Sequence, residues 1–96
     1  MQVEFVERDN GPERLVCDAE IVFEDGSPLA GMKLVGFSLW KAADGQLLVT
    51  FPARSFGAGT ERKFFDYLRP MRSGAPELAR HIKDWILEQY RLRRAA

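Results

Sequence analysis

The sequence predicts an α+β domain in which an antiparallel meander sheet of about five short strands is followed by one C-terminal helix. Two observations lead to this prediction. Apolar side chains alternate at period two in the first two-thirds of the chain, whereas they recur at spacings of three and four near the C-terminus. A sheet followed by a single helix is typical of α+β domains, in which the helix covers one face of the sheet. With 96 residues, we expect residues 1–96 to form one domain.

The clearest strand covers residues 15–24, where an apolar face alternates with a mostly acidic face, as in a half-buried antiparallel strand. Its apolar face consists of Leu15, Cys17, Ala19, Ile21 and Phe23. The other predicted strands cover residues 3–8, 32–41, 46–51 and 64–68. In the strand at 32–41, Val35, Phe37 and Leu39 are predicted to share one face.

Turn-forming residues separate these strands. The segments 10–12 (NGP) and 25–28 (DGSP) turn the chain after the first and second strands, and 43–45 (ADG) forms a hairpin turn. Pro52 ends the fourth strand, because proline has no N–H group to donate to a sheet. Residues 53–62, which include two glycines, are predicted to form a flexible loop.

The helix is predicted to begin at Pro76, because proline suits the first helical position, with Ser73 and Gly74 just ahead of it. Its apolar stripe consists of Leu78, Ile82, Trp85, Ile86 and Tyr90. Glu77 lies near the positive end of the helix dipole, and arginines lie near its negative end, so both charges favour the helix. Those arginines are Arg91, Arg93 and Arg94.

Composition excludes several classes of protein. The chain is 46% hydrophobic and 29% charged, which is ordinary for a folded globular domain and unlike a disordered one. A single cysteine excludes an intrachain disulfide framework and a multi-cysteine zinc site. No apolar run approaches the ~18–20 residues that span a membrane, so we expect no membrane partner. The first residues lack the features of a secretory signal, and we therefore expect a cytoplasmic protein.

Few residues are candidates for catalysis. The one histidine, His81, lies in the predicted helix without further ligands at metal-binding spacing, so a structural or surface role is favoured. Cys17 lies on the apolar face of its strand, where a free cysteine behaves as a small hydrophobic residue. We therefore expect no enzymatic activity, cofactor, metal or small-molecule substrate. A hydrolase or redox enzyme that uses Cys17 or His81 is the least favoured alternative.

Charge is distributed unevenly along the chain, although the formal net charge is zero. Residues 1–30 carry eight acidic and two basic side chains, whereas residues 31–96 carry six acidic and twelve basic ones. Two interpretations stay open. Either the basic half provides a surface for an anionic partner, or the charges of the two halves intermix in the folded domain.

Basic and aromatic residues alternate most densely between Phe51 and Arg72. Cationic side chains neutralise phosphate and exposed aromatic rings stack on bases, so this composition suits a nucleic-acid surface. The opposite interpretation is that Phe64, Phe65 and Tyr67 are core residues and the arginines are merely solvated. The arginines near prolines favour the first interpretation, since loops and the ends of elements commonly carry binding residues.

Several short motifs occur in an order that resembles one bacterial family. The segment 45–52 (GQLLVTFP) is similar to a strand of the form G-L-hydrophobic-V-x-M-P, and the following PAR resembles P-S-[KR]. The segment 66–70 (DYLRP) resembles D-I-x-H-P, and 80–92 (RHIKDWILEQYRL) resembles a helix that contains I-x-D-x-[IV]-L-x-x-Y. Together, residues 36–92 resemble the stage V sporulation protein G (SpoVG, septation regulator) family.

The resemblance implies a small homodimeric regulator that binds DNA and RNA, with basic residues near the junction of strand and helix in contact with the nucleic acid. A homodimer is also expected because a short meander sheet leaves exposed edges and a chain of this size has a thin core. The candidate nucleic-acid contacts, made mostly to phosphate, are Arg54, Arg62, Lys63, Arg69, Arg72, Arg80 and Lys83.

A second hypothesis is a protein–protein interaction module with no affinity for nucleic acid. In that case the basic half would bind the acidic half of a neighbouring subunit or an acidic partner protein. The acidic face of the second strand, with Asp18, Glu20 and Glu24, makes this hypothesis plausible.

Overall fold

A computed structural model describes residues 1–24, 26–72 and 74–95 and confirms the α+β architecture. Four antiparallel strands form the main sheet: β1 (Gln2–Val6), β2 (Leu15–Val22), β3 (Lys33–Lys41) and β4 (Leu47–Thr50), in the order β1-β2-β3-β4. A hairpin follows, formed by β5 (Ala53–Phe56) and β6 (Lys63–Asp66), and the helix α1 (Pro76–Ala95) completes the chain. Asp25 of the predicted turn and Ser73 ahead of the helix lie outside the described residues.

The core lies between one face of the main sheet and α1. Cys17, Ala19 and Ile21 of β2 are buried, as their period-two spacing predicts. Leu39 pairs with Cys17 in the register of β2 and β3 and is fully buried beside them. From the helix, Ile86 and Tyr90 cover this face, and the Tyr90 ring meets the Phe5 ring edge-to-face with centroids 5.2 Å apart.

The prediction that Val35 shares the buried face of Phe37 and Leu39 is wrong. The register of β2 and β3 slips by one residue, because Ala19 pairs with Phe37 whereas Ile21 pairs with Leu34. The extra residue on β3 is a β-bulge, which reverses the alternation of side chains beyond it. Leu34 therefore packs on the core, and Val35 is 50% exposed.

Gly36 at this bulge allows the start of the hairpin to approach the main sheet. Its φ of +108° lies in a region that residues other than glycine rarely adopt. A Cβ atom at Gly36 would also lie 2.7 Å from the Cβ atom of Pro52, which is buried. The absence of a side chain at Gly36 therefore gives Pro52 its packing site against β3.

The predicted loop at residues 53–62 is wrong in its first part, because Ala53–Phe56 forms β5 and pairs with β6. Pro52 donates no hydrogen bond, but its carbonyl accepts one from the N–H group of Tyr67 at 2.9 Å. Pairing of the two strands therefore begins directly after the proline. The six residues 57–62 form the connection and include a 3₁₀ turn at Gly59–Glu61.

The helix begins at Pro76, as predicted, and packs against β4 and β1. Four members of the predicted apolar stripe face the core, with Ile86 and Tyr90 buried and Ile82 and Trp85 partly buried. Leu78 is the exception, since it is 52% exposed and lines an open cleft in the first turn of the helix. No helix of the described residues is long and apolar enough to cross a membrane.

Candidate nucleic-acid interface

The β5–β6 hairpin projects from the body of the domain. Its strands form a sheet of their own, and their main tertiary contacts are with each other. Every residue of both strands is exposed to solvent. The hairpin therefore adds little to the core and presents its side chains to the surroundings.

The two faces of the hairpin differ in composition because side chains directly opposite each other in an antiparallel pair share a face. Arg54 pairs with Phe65 and Phe56 pairs with Lys63, which places these four side chains on one face. Tyr67 continues the alternation of β6 and lines the same cleft as Arg54 and Phe65. These five residues form the aromatic–basic face.

The opposite face of the hairpin carries one aromatic residue. Ser55 pairs with Phe64, and Ala53 pairs with Asp66, so these four residues share the second face. Phe64 is 68% exposed, which is close to the 65% exposure of Tyr67 on the aromatic–basic face. The hairpin thus has one face that combines aromatic rings with cations and another that combines a single ring with small and acidic side chains.

Contacts within the aromatic–basic face hold its side chains together. The rings of Phe56 and Phe65 meet edge-to-face, with centroids 5.2 Å apart. The Arg54 guanidinium lies 4.5 Å from the centroid of the Phe56 ring, at the distance of a cation–π interaction. An open cleft of about 510 Å³ lies along these residues, and Asp66 and Arg69 also line it.

A second cleft connects the hairpin with the start of α1. It shares Tyr67 and Arg69 with the first cleft and continues along Arg72 to Pro76 at the beginning of the helix. The two clefts therefore form a continuous path from the aromatic–basic face to the helix N-terminus. Positive charge near a helix N-terminus adds to the partial positive charge of the unpaired N–H groups there, which suits an anionic ligand.

The structure brings most of the predicted contact residues to this path, and all seven are exposed. Four of them, Arg54, Lys63, Arg69 and Arg72, lie on the aromatic–basic face or line the two clefts. Arg62 lies in the connection at the tip of the hairpin. On the helix, Lys83 lies with its ammonium 5.4 Å from the centroid of the Phe51 ring, near the base of the hairpin. Arg80 follows Ala79, a residue that lines the second cleft.

Ion pairs leave the charge of this surface unneutralised. Within the described parts of the chain, the ion pairs are Arg8–Asp18, Lys33–Glu20 and Arg91–Glu88, and none includes a predicted contact residue. Hydrogen bonding to Asp18 raises the pKa of Arg8, and hydrogen bonding to Glu20 raises the pKa of Lys33. Charges therefore intermix in the main sheet, whereas residues 53–72 keep five basic side chains against two acidic ones.

Cys17 and His81, the residues considered for catalysis, lie in different environments. Cys17 is 1% exposed, and its burial raises the pKa of the thiol, although Arg93 acts in the opposite direction. A thiol that stays protonated is a poor nucleophile. His81 is exposed on α1. Residues 1–24, 26–72 and 74–95 contain no group of three or more His, Cys, Asp and Glu side chains that could hold a metal ion.

No protein-family model, curated protein or solved structure matches the chain. The resemblance to the septation-regulator family thus remains an expectation based on the motifs of the sequence.

Sequence reasoning named the aromatic residues between Phe51 and Arg72 but left open whether they are buried. Phe64, Phe65 and Tyr67 are 68%, 47% and 65% exposed, so the interpretation as core residues is wrong for all three. The sequence carries a signal for the hairpin, although not for the exposure of its rings, since Arg54 and Phe56 alternate at period two, as do Lys63, Phe65 and Tyr67. Two such segments on either side of a connection that contains two glycines indicate a hairpin.

Proposed function

We propose that this chain is a nucleic-acid-binding regulatory protein of the septation-regulator type, which acts in the cytoplasm and binds DNA and/or RNA as a homodimer. The observation that supports it most is the aromatic–basic face, where exposed rings and exposed cations alternate on one side of a projecting hairpin. Cations contribute affinity by contacting phosphates, and aromatic rings contribute by contacting bases.

The contacts to phosphate are assigned to the basic residues along the two clefts. Arg54 and Arg69 line the first cleft, and Arg69 and Arg72 line the second. The proposal also includes Arg62, Lys63, Arg80 and Lys83, which are exposed around the same path. The excess of positive charge in residues 53–72 supports attraction of a polyanion over a range of about 10 Å at 0.1 M salt.

The proposed homodimer has support from the main sheet. Among the described strands, β1 and β4 are its edges, and each pairs with one neighbour only. Edge strands have unpaired backbone groups that a second copy of the chain can pair with. Sedimentation velocity over a range of protein concentrations tests this part, and a single species with the mass of one chain at all concentrations would contradict it.

Fluorescence anisotropy with labelled single-stranded DNA, duplex DNA and RNA between about 50 and 200 mM salt tests nucleic-acid binding. We expect the double variant Arg54→Ala/Arg69→Ala to bind more weakly, with a log–log salt slope smaller by about 1.4–1.8, because each lost phosphate contact removes about 0.7–0.9. The matched control is Lys41→Ala/Arg91→Ala, which removes the same charge from β3 and from a helix residue already paired with Glu88.

The result that would refute nucleic-acid binding is an absence of binding by the parent protein at the lowest salt. Equal affinity and equal salt slope for both double variants would refute the assigned surface.

The alternative, a protein–protein interaction module without nucleic-acid affinity, is supported by the exposed apolar side chains of the hairpin region. Phe56 and Phe64 are 44% and 68% exposed, and Met71 is fully exposed. However, two of the three acidic residues expected to attract a basic partner surface already have basic partners, since Asp18 pairs with Arg8 and Glu20 pairs with Lys33. Binding of an acidic protein in the absence of any nucleic-acid binding would favour this alternative.

A further inference from the structure

We propose that the aromatic–basic face is a base-stacking platform that makes the chain select single-stranded over double-stranded nucleic acid. This inference rests on the proposed function and specifies the class of ligand. Three aromatic rings, those of Phe56, Phe65 and Tyr67, lie on one face of the hairpin and are 44%, 47% and 65% exposed. Exposed rings provide contact area for bases, whatever the sequence of the nucleic acid.

The spacing of the rings favours bases that are separated from each other. Side chains on the same face of a strand are two residues apart, so Phe65 and Tyr67 start from backbone positions about 6.7 Å apart. Successive bases in a duplex strand are about 3.4 Å apart. Two neighbouring bases can therefore stack on these two rings only if the strand is extended to about twice its duplex spacing, which a single strand can do.

Base pairing also prevents a duplex from using this platform. In a duplex, the flat face of each base is covered by its neighbours, and only base edges and phosphates are accessible. A duplex would contact the cations of the surface alone. A single strand would contact both the cations and the rings, since Arg54 and Arg69 line the same cleft as Phe56, Phe65 and Tyr67.

The position of Arg54 in the platform also favours a single-stranded ligand. The Arg54 guanidinium lies over the ring of Phe56, 4.5 Å from its centroid, and thereby covers one face of that ring. The flat guanidinium can itself stack on a base or contact a phosphate. Tyr67 is the most exposed ring of the platform, so we expect it to contribute most to binding of a base.

The hairpin offers a matched pair of variants for the test. Tyr67→Ala removes a ring that is 65% exposed from the aromatic–basic face, and Phe64→Ala removes a ring that is 68% exposed from the opposite face. Neither substitution changes the net charge at pH 7. The conservative variant Tyr67→Phe keeps the ring. Thermal unfolding followed by circular dichroism checks that each variant is folded.

The probes are a labelled single-stranded DNA 12-mer and the duplex of the same sequence, at one low salt concentration. We expect Tyr67→Ala to weaken single-strand binding about 5- to 150-fold, the range that corresponds to loss of one base–aromatic stack. Duplex binding should change less than about two-fold, because only phosphate contacts carry it. Phe64→Ala and Tyr67→Phe should bind the single strand like the parent protein, and the salt slope of Tyr67→Ala should be unchanged.

Two binding results would overturn the inference while the proposed function stands. One is an equal loss of single-strand and duplex binding in Tyr67→Ala. The other is equal single-strand binding by Tyr67→Ala, Phe64→Ala and the parent protein. A sedimentation result would also overturn it, namely a dimeric parent protein and a monomeric Tyr67→Ala variant. The aromatic–basic face would then belong to the contact between two copies of the chain. Failure of the proposed function is distinguishable, since the parent protein would then bind neither probe.

Discussion

Replacing Gly36 by alanine should destabilise the domain through two separate effects. The first is backbone strain, because Gly36 has φ of +108°, and forcing another residue into such a conformation costs about 1–3 kcal/mol. The second is a steric clash, because the new Cβ atom would lie 2.7 Å from the Cβ atom of Pro52. Overpacking of this kind costs typically about 1–3 kcal/mol.

One effect acts in the opposite direction, because alanine reduces the entropy of the unfolded chain and so stabilises the folded state by about 0.4–1 kcal/mol. We therefore expect Gly36→Ala to lower the free energy of unfolding by about 1–6 kcal/mol, out of a total of about 5–15 kcal/mol for a small domain. Each kcal/mol lost corresponds to a decrease in Tm of about 4–8 °C for a domain of this size. Urea unfolding followed by tryptophan fluorescence measures the change.

Gly45→Ala is the matched control for backbone strain. Gly45 has a similar φ of +87°, but a Cβ atom there would meet nothing within 4 Å. Its destabilisation should therefore lack the contribution of the clash. A double-mutant cycle with Pro52→Gly, which removes the opposing Cβ atom, should reduce the effect of Gly36→Ala to that of Gly45→Ala. Equal destabilisation by Gly36→Ala and Gly45→Ala would refute the argument that Pro52 packs into the space left by Gly36.

Three further predictions concern the body of the domain. Ile86→Ala should lower the free energy of unfolding by about 2–5 kcal/mol in urea titrations, because the Ile86 side chain is fully buried and its removal leaves a cavity. The stability of the parent protein should fall as the pH rises above about 9, the ordinary thiol pKa, and this fall should be smaller in Cys17→Ala. Burial raises the pKa of Cys17 in the folded state, so the unfolded chain loses its proton first, and identical stability–pH curves would contradict this. Thr50→Val removes the hydrogen bond from Trp40 Nε1 to Thr50 Oγ1 at 2.9 Å, so it should lower the free energy of unfolding by about 0.5–1.5 kcal/mol and alter the Trp40 fluorescence. An unchanged unfolding curve would count against a stabilising role for that bond.

The regular alternation of β2 and the helical periodicity of α1 were sufficient to predict the fold. Both patterns arise because one side of each element is buried against the core. The buried positions carry apolar residues, and the spacing of these residues is visible in the sequence. The bulge at Gly36 was not predictable in the same way. An extra residue in β3 changes which side chains face inward, but the hydrophobic sequence of Leu34 and Val35 fits either register.

The residues of the candidate site were predicted from the sequence, but their spatial arrangement was not. The cations from Arg54 to Arg72 were recognisable by composition, whereas the exposure of Phe65 and Tyr67 depends on the hairpin projecting from the domain. Nothing in the local pattern distinguishes an aromatic residue on a projecting hairpin from one on a half-buried strand, because both alternate at period two. The distinction depends on tertiary packing, namely on the position of α1 over the main sheet and not over the hairpin.

Exposed rings on this hairpin have an energetic consequence that connects stability with function. Burial of a side chain the size of phenylalanine stabilises a protein by about 1.5–3 kcal/mol, and Phe56, Phe65 and Tyr67 forgo much of that stabilisation. For a domain of 96 residues, the sum is comparable to a large part of the total stability. The same rings would recover this free energy on contact with a ligand that covers them. Because the hairpin contributes little to the core, substitutions on its aromatic–basic face should change binding while leaving unfolding nearly unchanged. Substitutions at the Gly36–Pro52 contact should change both, because that contact fixes the position of the hairpin on the domain.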